Sequence, residues 1–159
     1  MGTGRRKHAR FDSLEQEVFL SLWRTYDRLK LFEDELFGSY GLTAQQYNAL
    51  RLLRAARPDK VPTLTLAARL ISRAPDITRL VDRLSERDLV DRERQAGDRR
   101  SVHIGITEGG MELLDRIAGD VRECHRRQLG HLDAEELRAL SDLLRKARLP
   151  HESAESNWR

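Results

Sequence analysis

The 159-residue chain is 39% apolar and 35% charged, with a formal net charge of +3 and a single cysteine, Cys124. No apolar run approaches the roughly 18 residues of a membrane span, and the basic N-terminus leads into an amphipathic pattern rather than a secretory signal. One cysteine excludes an intramolecular disulfide framework and fits a reducing compartment, so a cytoplasmic protein is expected.

The charge is unevenly placed. Residues 1–10 carry four basic groups and no acids, residues 60–105 carry ten basic and seven acidic groups, and the remainder carries 15 against 19. The positive excess therefore sits on an N-terminal arm, expected to be disordered, and on the middle of the chain, as a polyanionic partner would favour.

From Phe11 to Phe37, apolar residues recur by threes and fours through Leu14, Val18, Leu22, Tyr26, Leu29, Phe32 and Leu36. This spacing predicts a helix of about seven turns, too long to bury its stripe against a small domain alone, so a partner subunit is expected to cover it. Gly38-Ser39-Tyr40-Gly41 breaks the pattern. Thr43 followed by Gln46 reads as a capping box, with Leu42 and Tyr47 as the staple, for a second helix ending near Arg57. A short extended segment at Val61 precedes a third helix over 64–70, for which Thr63 is the expected cap.

Ile71-Ser72-Arg73-Ala74 is a turn, and Pro75 suits the first turn of the helix that follows. Ile77, Leu80, Val81 and Leu84 share one face of that helix, while Asp76, Arg79 and Arg83 form a second, outward stripe. After Arg87 the period changes to two. A strand opens at Leu89-Val90, a turn falls at Gln95-Ala96-Gly97-Asp98, and Val102, Ile104 and Ile106 alternate on the return. Helix, turn, basic helix and arginine-tipped hairpin form the layout of a winged helix-turn-helix, over residues 42–107. Thr107 then caps a fifth helix over 108–129, Gly130 ends it, and Asp133 with Glu136 boxes the start of a sixth helix ending near Arg148. The polar residues 149–159 read as a flexible tail. The fold class is mostly α with a small β-wing, and the helices at 11–37 and 108–148 form a dimerisation region, the arrangement that pairs two reading heads.

In such a fold the basic helix enters a DNA major groove and the hairpin tip reaches the neighbouring minor groove. Arg100 is placed to enter a narrow A·T minor groove and Arg99 to meet phosphate, with Asp98 holding an arginine of the wing or helix. Asp76 has the chemistry to accept from a cytosine amino group, and Arg79 or Arg83 to contact guanine or phosphate. Thr78 lies between groove and core, and Arg73 and Pro75 stand at the helix entrance. The alternative for each is a solvated surface charge. Cys124 falls on an apolar stripe, where a free cysteine acts as a small hydrophobe. His125 and His131 lie near it without metal-ligand spacing, so no metal or cofactor is expected. No phosphate loop, nucleophile elbow or catalytic triad pattern occurs, which argues against an enzyme.

The chain resembles the MarR (multiple antibiotic resistance-type) regulators over roughly residues 11–148. The resemblance is most specific in ITRLVDRLSERDLVDRERQAGDRRSVHIGITEGG, where Ile77–Leu84 is similar to the family's recognition helix and Asp98–Val102 to its wing. It implies a homodimer that binds a palindromic DNA operator and usually represses transcription, with a small aromatic or lipophilic effector relieving repression. It also implies an effector pocket where the first and second helices meet the fifth, for which Trp23, Tyr26, Tyr47 and Arg51 are the candidates. Relatives often have a serine-rich entrance to the recognition helix. Here Arg73-Ala74-Pro75-Asp76 replaces it, leaving Ser72 as the only hydroxyl available to cap. Two alternatives stay open: a winged helix that binds a protein and never reads DNA, and a constitutive or activating regulator without ligand.

Overall fold

The computed structural model describes residues 10–159, apart from the side chain of Arg99. Most of the basic arm, and the phosphate contact expected of Arg99, therefore lie outside the described residues.

Among the described residues, six α-helices accompany a small sheet. The first helix, α1 (Leu14–Ser39), starts three residues later than the apolar period suggested, because Ser13 is its N-cap and accepts from the Gln16 N–H. The second, α2 (Ala44–Ala56), opens with the Thr43/Gln46 capping box. A two-residue strand, β1 (Val61–Pro62), leads into α3 (Thr63–Arg69). Thr63 does not cap this helix. It lies inside the helix, and its Oγ1 donates instead to the Val102 carbonyl at 3.0 Å, tying α3 to the sheet.

Helix α4 (Ile77–Glu86) precedes the hairpin β2 (Val90–Gln95) and β3 (Asp98–Ile106). The three strands are antiparallel in the order β1-β3-β2, with Val90 opposite Ile106, Arg92 opposite Ile104 and a register shift between Arg94 and Gln95. Helix α5 (Glu108–Leu129) follows directly, capped by Thr107, whose Oγ1 accepts from the Gly110 N–H and donates to the Asp88 carbonyl. A second capping box, Asp133 with Glu136, begins α6 (Ala134–Arg148).

One apolar core runs through the head. Leu50 and Leu53 of α2, Leu66 of α3, Val81 and Leu84 of α4, Ile104 of β3 and Leu113 and Ile117 of α5 are all essentially inaccessible to water. Burying such side chains contributes about 1.5–3 kcal/mol each, so this cluster holds α4 onto the head. The α1–α5 contact is reinforced by a polar pair: buried Gln128 donates to the Leu29 carbonyl at 2.8 Å.

The outer parts are different. The first half of α1 exposes Leu14, Phe19, Trp23 and Tyr26, and α6 buries no residue of its own within this chain. The C-terminal residues, read from sequence as a frayed end, fold back on α6. Arg148 donates to the Trp158 carbonyl at 3.1 Å and lies over its indole ring.

Candidate nucleic-acid interface

Helix α4 presents two chemically distinct faces. Leu80, Val81 and Leu84 are buried and Ile77 half-buried, whereas Thr78, Arg79 and Arg83 are exposed. Thr78 thus belongs to the outward face rather than the core. Arg73 and Pro75 are also exposed, in the turn that enters the helix.

The entrance departs from expectation. Pro75 is not in the first helical turn but in the preceding one, since the helix begins at Ile77. The cap is neither absent nor supplied by Ser72: the Asp76 Oδ1 accepts from the Arg79 N–H at 2.9 Å. A carboxylate satisfies an orphan N–H there and sits well with the positive end of the helix dipole. Asp76 therefore has a structural duty in addition to any contact with a base.

The wing is built around its charges. Gly97 turns the hairpin with φ of +96°. Asp98 holds the wing tip by its main chain. Its Oδ1 accepts from the backbone N–H of Arg100 at 2.9 Å, fixing the chain that presents the exposed Arg100 side chain. Arg92 of β2 pairs with Asp82 on α4 and links helix to wing. Lys60 bridges Asp91 at 3.3 Å and Glu93 at 3.0 Å, partly cancelling two acids on the wing strand. The hydrogen bond to Glu93 above all pushes the Lys60 pKa up and keeps that cation charged.

At the far end of α4 sits Arg87, which the sequence pattern did not single out. Its guanidinium donates to the Gly41 carbonyl at 2.8 Å and the Tyr40 carbonyl at 3.1 Å, at the junction of α1 and α2. No local signal could have found it, because its partners lie 46 and 47 residues away.

The four residues expected to line an effector pocket, Trp23, Tyr26, Tyr47 and Arg51, stand apart from the cleft between α1 and α5. Tyr47 stacks on Phe37 with ring centroids 4.4 Å apart, inside the head. Trp23 and Tyr26 are 64% and 62% exposed on the outer half of α1, and Arg51 is exposed on α2. A cleft of about 260 Å³ does open between α1 and α5, lined by Phe32, Leu36, Asp120, Glu123, Cys124 and Arg127 among others. The Arg127 guanidinium lies 4.9 Å from the Phe32 ring centroid. Trp23 is nine residues N-terminal to Phe32, about 14 Å along a helix, which places it beyond the cleft.

Residues 40–101 match the model of the MarR family. The chain is 54% identical to the MarR transcription factor from Planctomyces limnophilus, whose crystal structure superposes with a TM-score of 0.69 over 85% of this chain and 98% of that one. It is 36% identical to the HTH-type transcriptional repressor NicR of Pseudomonas putida over 66% of this chain, an alignment spanning 65% of NicR's length. The fold is also similar to Sco3205, a MarR family regulator from Streptomyces coelicolor solved in complex with DNA, at 21% identity and a TM-score of 0.81 over 96% of this chain and 97% of that one. With 54% identity to a solved MarR transcription factor covered over 98% of its length, the chain belongs to the MarR family of DNA-binding transcription regulators.

Proposed function

We propose that this protein is a cytoplasmic, homodimeric repressor that binds a palindromic operator and releases it in response to a small ligand. The observation that carries the reading is the shared exposure of Arg79 and Arg83 on α4 and Arg100 at the wing tip, on a head whose opposite faces are packed. In this arrangement α4 enters the major groove, where Arg79 and Arg83 meet guanine or phosphate, Asp76, Thr78, Arg73 and Pro75 flank them, and Arg100 at the wing tip enters the minor groove with Arg99 beside it on phosphate.

The exposed apolar stripe on the first half of α1 and the uncovered Leu143 on α6 support dimerisation, since a soluble chain rarely leaves such patches bare. A two-fold dimer places its recognition helices about 34 Å apart, one turn of DNA. NicR, a repressor by name, supports the sign of regulation. The cleft between α1 and α5 supports a ligand-responsive head spacing: a ligand shifts the equilibrium by its differential affinity for the two spacings.

The test is fluorescence anisotropy against a pool of genomic fragments, including DNA upstream of its own gene, at two salt concentrations. Tight, steeply salt-dependent binding to one palindromic fragment supports the reading. Weak and uniform binding refutes it and directs the search to protein partners.

A further inference from the structure

The C-termini of α1 and α4 are built alike and are joined by one side chain. Helix α1 ends with Tyr40 as C-cap and Gly41 in the left-handed region at φ +67°; the Leu42 N–H returns to the Phe37 carbonyl and the Gly41 N–H to the Gly38 carbonyl. Helix α4 ends with Arg87 as C-cap and Asp88 at φ +54°; the Leu89 N–H returns to the Leu84 carbonyl and the Asp88 N–H to the Ser85 carbonyl. Both are Schellman motifs, each with a buried apolar pair, Phe37 with Leu42 and Leu84 with Leu89.

Arg87 closes one motif and reaches the other. Its two terminal nitrogens donate to the Tyr40 and Gly41 carbonyls, at the end of α1 where carbonyls lack helical partners and the dipole is negative. Gly41 suits this turn because its φ of +67° is one that L side chains rarely adopt. Tyr40 continues the path: its hydroxyl donates to the Asp120 carboxylate of α5 at 2.5 Å. Asp120 in turn lines the α1–α5 cleft. The cap of the recognition helix and the cleft are thus connected by a short series of polar contacts that bypasses the apolar core.

We propose that Tyr40 and Arg87 are positioning residues for DNA reading, a linkage that sets the angle of α4 against the α1–α5 pair. Neither side chain touches the outward face of α4; the linkage acts through the helix end it holds. It rests on the reading of α4 as the DNA-reading element. A lysine at position 87 keeps the charge but cannot span two carbonyls with one planar fork. A phenylalanine at position 40 keeps the ring and removes only the hydroxyl that meets Asp120.

The experiment compares the full-length wild type, Tyr40→Phe, Arg87→Lys and the double variant by anisotropy. The probes are the operator selected by the wild type and a random-sequence duplex, with melting temperature as the check on folding. Each single variant is expected to bind the operator about 3- to 30-fold more weakly, as residues along a coupling path do, and the random duplex as tightly as the wild type. The double variant is expected to fall no further than the weaker single, because a series already broken loses little at a second break. Singles that bind the operator like the wild type, or a double whose loss is the product of the two, overturn the linkage. If Arg87→Lys fails to fold, unchanged operator affinity in Tyr40→Phe alone overturns it. A wild type with no operator preference overturns the DNA reading itself.

Discussion

The Asp98 carboxylate accepts from the Arg100 backbone N–H at 2.9 Å, so the acid beside two arginines organises the main chain of the wing tip. This two-residue bridge restrains the main chain while leaving the Arg100 side chain exposed. Arg100→Ala should weaken operator binding by about 1–3 kcal/mol, most on A·T-rich flanks where a narrow minor groove concentrates negative potential. Asp98→Ala retains the guanidinium and should cost less, through a looser tip. Anisotropy on operators differing only in their flanks decides the matter; equal loss on A·T- and G·C-rich flanks would exclude minor-groove reading.

Asp76 has two candidate roles, which substitution separates. As a helix cap it contributes about 0.5–2 kcal/mol to stability, and Asp76→Ala should lose most of that while Asp76→Ser keeps it. As a base reader it would distinguish cytosine by accepting its amino proton, which a serine does less selectively. Urea denaturation of both variants gives the first quantity, and operator competition at the base facing Asp76 gives the second. If Asp76→Ala unfolds at the wild-type midpoint, the cap is energetically silent.

How much was legible in the sequence depended on the range of the interaction. The fifth helix was bounded correctly because Thr107 and Gly130 act within a turn of its ends, and the Asp133/Glu136 and Thr43/Gln46 boxes are equally local. The outward stripe of α4 and the hairpin turn followed from periods of 3.6 and two. The capping role of Asp76 was less legible, because in a basic stretch a carboxylate suggests recognition before it suggests capping. Thr63 was misread because its partner, Val102, lies 39 residues away. Arg87 shows the limit most plainly, since Asp88 at φ +54° ends α4 without the glycine that would have announced it.

The exposed stripe on α1 makes its own prediction. Leu29 is half-buried and its carbonyl takes the Gln128 hydrogen bond, so a charge there would disturb the α1–α5 contact of a single subunit. Trp23, 64% exposed with Phe19 as its aromatic neighbour, tests the subunit interface more cleanly. Trp23→Asp should convert the dimer to a monomer in sedimentation equilibrium and weaken operator binding by the loss of bivalency, on the order of a hundredfold or more. A Trp23→Asp protein that stays dimeric at low micromolar concentration would remove this face from the interface.

Cys124 lies buried where α5 meets α1, and that burial is the first cause pushing its thiol pKa up, with the charge of Glu33 adding to it and Arg127 opposing. The folded value therefore stands above the unfolded one, near 8.5, and the unfolded chain gives up the proton first as pH rises. The folded state then binds more protons than the unfolded, so stability must fall with pH across this window, while below about pH 7.5 both states keep the thiol and nothing changes. Urea denaturation at pH 7 and pH 9.5 should show a larger loss for the wild type than for Cys124→Ala, whose other titrating groups are the same. The neutral, shielded sulfur should also react slowly with a disulfide reagent in the native protein, because the thiolate is the nucleophile. Rapid native labelling at pH 7, together with a pH dependence identical in the variant, would mean that the thiolate is populated and would make Cys124 a candidate oxidant-sensing thiol.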